Sequence, residues 1–443
     1  MKPILDRGDV DPNSTDQNGQ TLLLIAVSWG FKYLVKVLLE RADVNPNLPD
    51  SRGLTPLSYA AGGEEYMVKI LLDRADIDLN IPDGEGRTPL SHAVEWGFES
   101  IVKILLERED IDPNVPDSEG RTPLLYAVND DLLDEGILKL FLKRDDVDLN
   151  SPDCNGRTPL SFALSWGFKD VVKLLLQRED VNPNFPDSKG RTPLLYAASG
   201  DREEASIVKL LLKREDVDPN LTDSDGRTPL SHAIERGFSS AVKLLLQCGR
   251  VTPDSPDSNN RSPLSFATEG GQEVVLRLPL ERGNIDPNLS DDDGRTPLLF
   301  ASERGWDIAK LHPERTGFNL NSRVGNGRIP LSLARESGQE DAVKLLLDRG
   351  NVNLDLPDNN SQNSLSYATM EGREGVVRLL SDSTTPNREL SETRDPMPGS
   401  VTDENASLKE VTYPLAVVAP AALHTVDDPP IDADMVLSYM GFL

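Results

Sequence analysis

The chain has 443 residues, only 5% aromatics and a formal net charge of −28 at pH 7; this length exceeds what a single hydrophobic core normally holds. The charge disfavours nucleic-acid phosphate and anionic lipid as partners, and no apolar run approaches the length of a membrane span. Two cysteines, Cys154 and Cys248, make no disulfide framework, and without a signal-peptide pattern at the start the expected compartment is cytoplasmic, with the nucleus as the alternative.

In chain order, Ile4–Asn13 spells the end of an amphipathic run and its polar continuation, as Leu72 to Asn80 does later. The chain is therefore expected to open inside a partial repeat, 1–13, as a fragment or shortened gene product would. A unit typified by Asp153–Ala163 then recurs. Thr55-Pro56-Leu57, Thr88-Pro89-Leu90, Thr122-Pro123-Leu124, Thr158-Pro159-Leu160, Thr192-Pro193-Leu194, Thr228-Pro229-Leu230 and Thr296-Pro297-Leu298 are close copies. Worn copies begin at Thr21, Ser262, Ile329 and Asn363, so eleven units follow one another in steps of 33 to 36 residues. A fixed period in this range marks a stacked-repeat architecture.

Each unit reads as turn, helix, turn, helix, extended finger. Asp153 bonds its own backbone in a turn, and Gly156 supplies a positive φ. Thr158 offers a hydroxyl to the first N–H groups of a helix, and Pro159 suits the first helical position. Ala163 keeps that helix slim enough for close packing. After Trp166-Gly167-Phe168, the run Val171–Leu176 has the apolar stripe of a second, core-facing helix. Asp180–Asp187 then leads to the next turn.

This pattern resembles the ankyrin repeat, whose signature is Thr-Pro-Leu-His-x-Ala on a period of about 33 residues, and the Gly-Arg-Thr-Pro-Leu-Ser variant is similar to long arrays of filamentous fungi. The resemblance covers roughly residues 1–380. It implies an all-α helical solenoid with a β-hairpin or finger loop per repeat, and a protein as partner. The family's His is Ser or Leu here (Ser58, Ser91, Leu125, Ser161, Leu195), which puts its hydrogen bonds between neighbouring repeats in question.

From the third unit to the seventh the copies alternate. Ser91-His92-Ala93, Ser161-Phe162-Ala163 and Ser231-His232-Ala233 form one type, and Leu125-Tyr126-Ala127 and Leu195-Tyr196-Ala197 the other. The second type carries two extra residues within 129–135 and 199–204, expected as acidic loops on the edge away from the fingers. Later units decay: Pro279 and Pro313 interrupt second-helix patterns, at roughly 3 kcal/mol each, so the eighth and ninth units are the expected weak point. Residues 381–443 hold seven prolines, eleven acidic and three basic residues and no repeat. That composition predicts an unfolded tail, with Tyr413–Val426 and Met435–Leu443 as its less polar pieces.

No catalytic set is legible. The histidines at 92, 232, 312 and 424 have no ligand-like neighbours, and His92 and His232 occupy one repeat position, as structural residues do. Asp216-x-Asp218-x-Asn220 opens like a calcium loop but lacks Gly at its sixth position and Glu at its twelfth. The expectation is therefore no enzyme, cofactor or metal. Two rows of side chains remain as candidate contacts: Arg87, Arg121, Arg157, Arg191 and Arg227, continued by Arg261, Arg295 and Arg328, beside the acidic fingers, and Trp29, Trp96, Trp166 and Trp306 at the helix-to-helix turns. The arginines would alternatively neutralise Asp117, Asp153, Asp187 or Asp223 of adjacent fingers. The tryptophans would alternatively pack on Phe31, Phe98 or Phe168. These features predict a monomeric protein-interaction scaffold. The alternative is the regulatory or substrate-recognition array of a larger protein, such as a ubiquitin-ligase adaptor or a nucleotide-switched sensor.

Overall fold

A computed structural model describes residues 11–128, 135–200, 205–271, 273–281, 285–304, 317–348 and 352–363, with scattered positions to 378. Residues 1–10 of the partial first unit, the loops 129–134 and 201–204, Trp306, Pro313 and the whole tail 381–443 lie outside the described residues.

The helices come in pairs. They are α1 (Leu22–Ser28) with α2 (Lys32–Leu39), α3 (Pro56–Ala61) with α4 (Glu65–Leu72), and α5 (Pro89–Glu95) with α6 (Glu99–Leu106). Next come α7 (Pro123–Ala127) with α8 (Glu135–Phe141), α9 (Pro159–Trp166) with α10 (Lys169–Leu175), and α11 (Pro193–Ser199) with α12 (Ala205–Leu212). The series continues with α13 (Pro229–Arg236) and α14 (Ser239–Gln247), α15 (Pro263–Gly270) and α16 (Glu273–Glu281), α17 (Pro297–Arg304), and finally α18 (Pro330–Glu336) and α19 (Glu340–Asp348).

The starts of the first helices follow from the motif. Thr158 sits in extended backbone and its Oγ1 accepts from the Ser161 N–H at 3.3 Å, with Pro159 at the first helical position. Each first helix packs on the first helix of the next repeat. Second helices stack likewise, α2 on α4, α4 on α6, α6 on α8, α10 on α12, α12 on α14 and α14 on α16. The contact is close because every described first helix places an alanine there: Ala26, Ala60, Ala93, Ala127, Ala163, Ala197, Ala233, Ala267, Ala301 and Ala334 are all buried. The motif leucines Leu57, Leu90, Leu124, Leu160, Leu194, Leu230, Leu264, Leu298 and Leu331 are buried beside them. Full burial of one leucine contributes about 1.5–3 kcal/mol.

The fingers are linked without β-ladders. Among the described residues the one bridge outside helices joins Thr15 and Thr21, so the hairpin component of the expected fold appears as tight turns. Finger prolines such as Pro46, Pro113 and Pro183 remove the N–H a ladder would need. Asparagine side chains supply the links instead. The Asn150 amide donates to the Asp180 carbonyl at 2.7 Å, and its oxygen accepts from the Asn182 N–H at 2.6 Å. Asn47, Asn80, Asn114, Asn184 and Asn220 repeat this two-way bridge to the next finger. Fingertips add a backbone bond per junction, as from Ser188 N–H to the Asn155 carbonyl at 2.8 Å. Gly156 is required there: its φ is +76°, and a Cβ would lie 2.7 Å from the Ser188 nitrogen.

A second arginine row ties helix ends together. Arg74 donates to the carbonyl of Leu39, the last residue of α2, at 2.9 Å, and also to the Arg41 carbonyl. Arg178 reaches the Leu142 carbonyl at 2.8 Å, and Arg214 the Arg178 carbonyl at 3.0 Å. These guanidiniums satisfy carbonyls that a helix C-terminus leaves open. The repeat-to-repeat hydrogen bonds placed in question by the missing family His are thus carried by finger asparagines and these arginines. Ser161 turns inward, its hydroxyl donating to the Thr158 carbonyl of its own cap at 3.0 Å.

Two units depart from this scheme. Helix α16 runs through Pro279 instead of stopping before it. In α18, Arg335 occupies the place of Val94, Leu164 and Ile234 and is 1% exposed. Its Nε and Nη2 have no hydrogen-bond partner among the described residues, and burial pulls its pKa down to about 9.

Candidate protein-interaction site

The arginine row before the first helices is built into the turns. Asp153, 6% exposed, accepts from the Asn155 and Arg157 N–H groups through Oδ1, at 2.9 and 2.8 Å. Its Oδ2 accepts from Arg157 Nε and Nη2 at 2.9 and 2.7 Å. Arg87 pairs with Asp83, Arg121 with Asp117, Arg191 with Asp187 and Arg261 with Asp257 in the same i, i+4 way. The partner aspartate therefore belongs to the arginine's own turn, not to the adjacent finger.

A third member comes from the first helix, nine residues after the aspartate. Tyr126 and Tyr196 donate their hydroxyls to Asp117 and Asp187 at 2.6 and 2.7 Å. His92 and His232 place Nε2 3.0 and 2.7 Å from Asp83 and Asp223. Where the residue is Phe, the ring lies under the guanidinium instead, with Arg157 4.7 Å from the Phe162 centroid and Arg261 4.4 Å from Phe266. Burial works against ionisation of Asp117, yet hydrogen bonds from Tyr126, the backbone and Arg121 outweigh it and hold the carboxyl below its usual range. His92 is held below its ordinary value, first by burial and then by the Arg87 charge.

Arg227 differs. His232 occupies Asp223, Arg227 Nη1 turns to Glu235 at 3.0 Å, and its buried Nε has no partner among the described residues. Sequence reading missed the aspartate–arginine–aromatic triad, although its signal is present: an aromatic or His recurs two residues after each Thr-Pro-Leu.

The tryptophans lie elsewhere. Trp166 ends α9 while Arg157 precedes its start, so an eight-residue helix of about 12 Å separates the two rows. Trp29, Trp96 and Trp166 are 72%, 61% and 50% exposed. Phe31 is exposed too, while Phe98 and Phe168 are half-buried. The ring that Trp166 meets is Phe162, 6.4 Å away and tilted by 42°. Phe98 instead fits over Gly63 of the preceding repeat, where a Cβ would stand 2.9 Å from its ring. Phe98 and Phe168 thus serve packing, and the tryptophans stand outward. Tyr33 and Tyr66 are exposed aromatics as well, and Lys32 Nζ lies 4.6 Å from the Tyr66 centroid.

No helix among the described residues is long and apolar enough to cross a membrane. No curated protein sequence matches the chain. Among solved structures, the chain is similar to the ankyrin repeat domain of Bcl-3, described as a unique member of the IkappaB protein family, at 24% identity and a TM-score of 0.45. That likeness covers 51% of this chain and 99% of the Bcl-3 chain. The family model for ankyrin repeats (3 copies) matches residues 1–83, 75–134, 132–213, 202–291 and 307–389. With that coverage, and with the capped helix pairs and bridged fingers described above, the chain belongs to the ankyrin-repeat family.

Proposed function

We propose that the chain is a non-catalytic protein-interaction scaffold of the cytoplasm or nucleus, whose principal contact surface runs along the helix-to-helix turns of the third to fifth repeats. The observation that supports it is the outward stance of Trp96 and Trp166, half or more exposed on repeats otherwise packed tightly. Tryptophan is among the residues most enriched at interface hot spots. The arginine row contributes less to this reading than its spacing implies, because Arg87, Arg121, Arg157 and Arg191 are engaged by aspartates of their own turns.

The test begins with affinity capture from cell extract and identification of the retained protein. The double variant Trp96→Ala, Trp166→Ala is then compared with the parent for affinity to that protein. A loss of about 2 kcal/mol or more, some thirtyfold in Kd, is expected, with an unchanged melting curve. Unchanged affinity in the folded double variant would remove this surface as the principal contact.

A further inference from the structure

The turn triad is not equally filled along the array. Between the fourth and fifth repeats, Glu119, Arg121, Tyr126, Asp153, Arg157 and Phe162 enclose a cavity of about 100 Å³. The equivalent place between the ninth and tenth repeats holds about 300 Å³, lined by Asp293, Arg295, Glu303, Val324, Arg328 and Leu333 among others. Two substitutions explain the difference. Val324 stands where Asp153 stands, and Leu333 where Phe162 stands. The tenth repeat has therefore lost both the carboxylate and the ring that fill this site in its neighbours, and kept the arginine.

We infer that this cavity is a receptor for one phenylalanine-like side chain of a partner protein, which would restore the ring that the tenth repeat lacks. The inference rests on the reading of the chain as a protein-binding array. A volume of about 300 Å³ reaches the lower end of ordinary ligand pockets. Leu333 and Val324 provide apolar wall, and the flanking guanidiniums are held by carboxylates, Arg328 by Glu336 at 2.6 Å and Arg295 by Glu303 at 3.5 Å. Such pairing is compatible with a ring on the guanidinium: Arg261 pairs with Asp257 and Glu269 and still lies 4.4 Å from the Phe266 centroid. With both arginines paired, Asp293 is the lining charge left over, so the site disfavours an anionic occupant and offers its apolar wall to an uncharged one. Tyrosine fits less well, because the hydroxyls of Tyr126 and Tyr196 donate to aspartates, and valine in that place accepts nothing. A ring against a guanidinium adds a cation–π attraction that an aliphatic side chain lacks.

The full chain, labelled at Leu and Val methyl groups, is titrated by NMR with N-acetyl-phenylalanine amide and, in parallel, N-acetyl-leucine amide. Saturable shifts confined to Val324 and Leu333 are expected with the first probe, at least about threefold tighter than with the second. Leu333→Phe supplies the missing ring from within, and Val324→Phe fills the space from the other apolar lining residue; each is expected to abolish the shifts at the remaining methyl. The two variants back each other up should one fail to fold. Absence of saturable shifts, equal affinity for both probes, or binding that survives in a folded variant would overturn the inference. Because the probe is a single amino-acid amide, such a failure leaves the role of Trp96 and Trp166 untouched. Conversely, intact partner affinity in the tryptophan double variant would leave the cavity's preference standing.

Discussion

At the scale of the residue, the turn aspartate is the best-connected group of the regular repeats, held by backbone N–H groups, by its arginine and, in the Tyr and His repeats, by the ring of the first helix. Removing Arg157 leaves the Asp153 carboxylate buried with only its backbone donors, a loss of roughly 1–2 kcal/mol. Arg157→Ala should therefore lower the melting temperature while partner affinity per folded molecule stays constant, which calorimetry with a binding titration would check. His92 gives the same triad a pH dependence. Its folded pKa lies below the ordinary 6.5, so the neutral ring is the form the fold favours. The contribution is complete above about 6.5 and is lost as pH falls through the lowered value. His92→Tyr, the residue found in the alternate repeats, is expected to reduce the fall in melting temperature between pH 7 and pH 5.

Asp254 is the single-residue flaw of the finger ladder. It holds the place of Asn150 or Asn220, and its Oδ2 still accepts from the Asp286 N–H at 3.0 Å. A carboxylate has no amide hydrogens to donate, and the buried Oδ1 has no partner among the described residues. Burial, with the nearby Asp286 charge adding to it, raises its pKa above the ordinary 3.8. The sign is opposite to that of His92: the protonated form is favoured, so this contribution is present below about 3.8 and lost as pH rises through the raised value. Asp254→Asn should stabilise by about 1 kcal/mol at pH 7, with the gain narrowing towards pH 4. Chemical denaturation at the two pH values measures both.

At the scale of the element, the first helices are set by their caps and the second helices by their burial. Among the described helices, α1, α3, α5, α7, α9, α11, α13 and α15 have a Thr or Ser side chain accepting at the N-terminus. The second helices α2, α4, α6, α10 and α14 have no side-chain cap and depend on packing. This is why α16 tolerates Pro279. Val275 and Leu276 remain buried on the stack, and the helix continues past the missing bond. Pro279→Leu, which restores the leucine of the other repeats, is expected to raise stability by up to about 3 kcal/mol and to slow hydrogen exchange most in α15 and α16. In α18, Arg335→Val replaces a buried cation by the side chain at the same place in α5. It should stabilise by roughly 1–4 kcal/mol, read as a rise in melting temperature.

At the scale of the whole array, repeats lean on their neighbours through stacked first and second helices, finger asparagine bridges, fingertip backbone bonds and the second arginine row. Such a stack behaves as a sum of repeat and junction terms. Breaking one junction should therefore divide the array's cooperativity instead of unfolding it uniformly. Asn150→Ala removes both arms of the bridge between the fingers of the fourth and fifth repeats. Hydrogen exchange by mass spectrometry should then show protection dropping on either side of that junction, with distant repeats unchanged.

The period, the starts of the first helices and the core alanines and leucines were determined by the sequence alone, because each depends on contacts within one unit or on identical units touching. A Thr followed by Pro caps a helix whatever lies around it, and an alanine recurring every 33 to 36 residues meets its own copies in any regular stack. The partners of the charged residues were decided by the tertiary structure. From spacing alone Arg157 stood equally well as a binding residue or as a counter-charge to a neighbouring finger. Only the backbone path of the turn brings Asp153 back under its guanidinium. The finger asparagines read as loop residues, and their bridging role needs the next finger at hydrogen-bond distance. Whether Trp166 stood inward or outward depended on Phe162, Gly167 and the end of one short helix. The cavity beside Leu333 was equally hidden, since a leucine in a helix looks like core until the neighbouring repeats show that a ring belongs there.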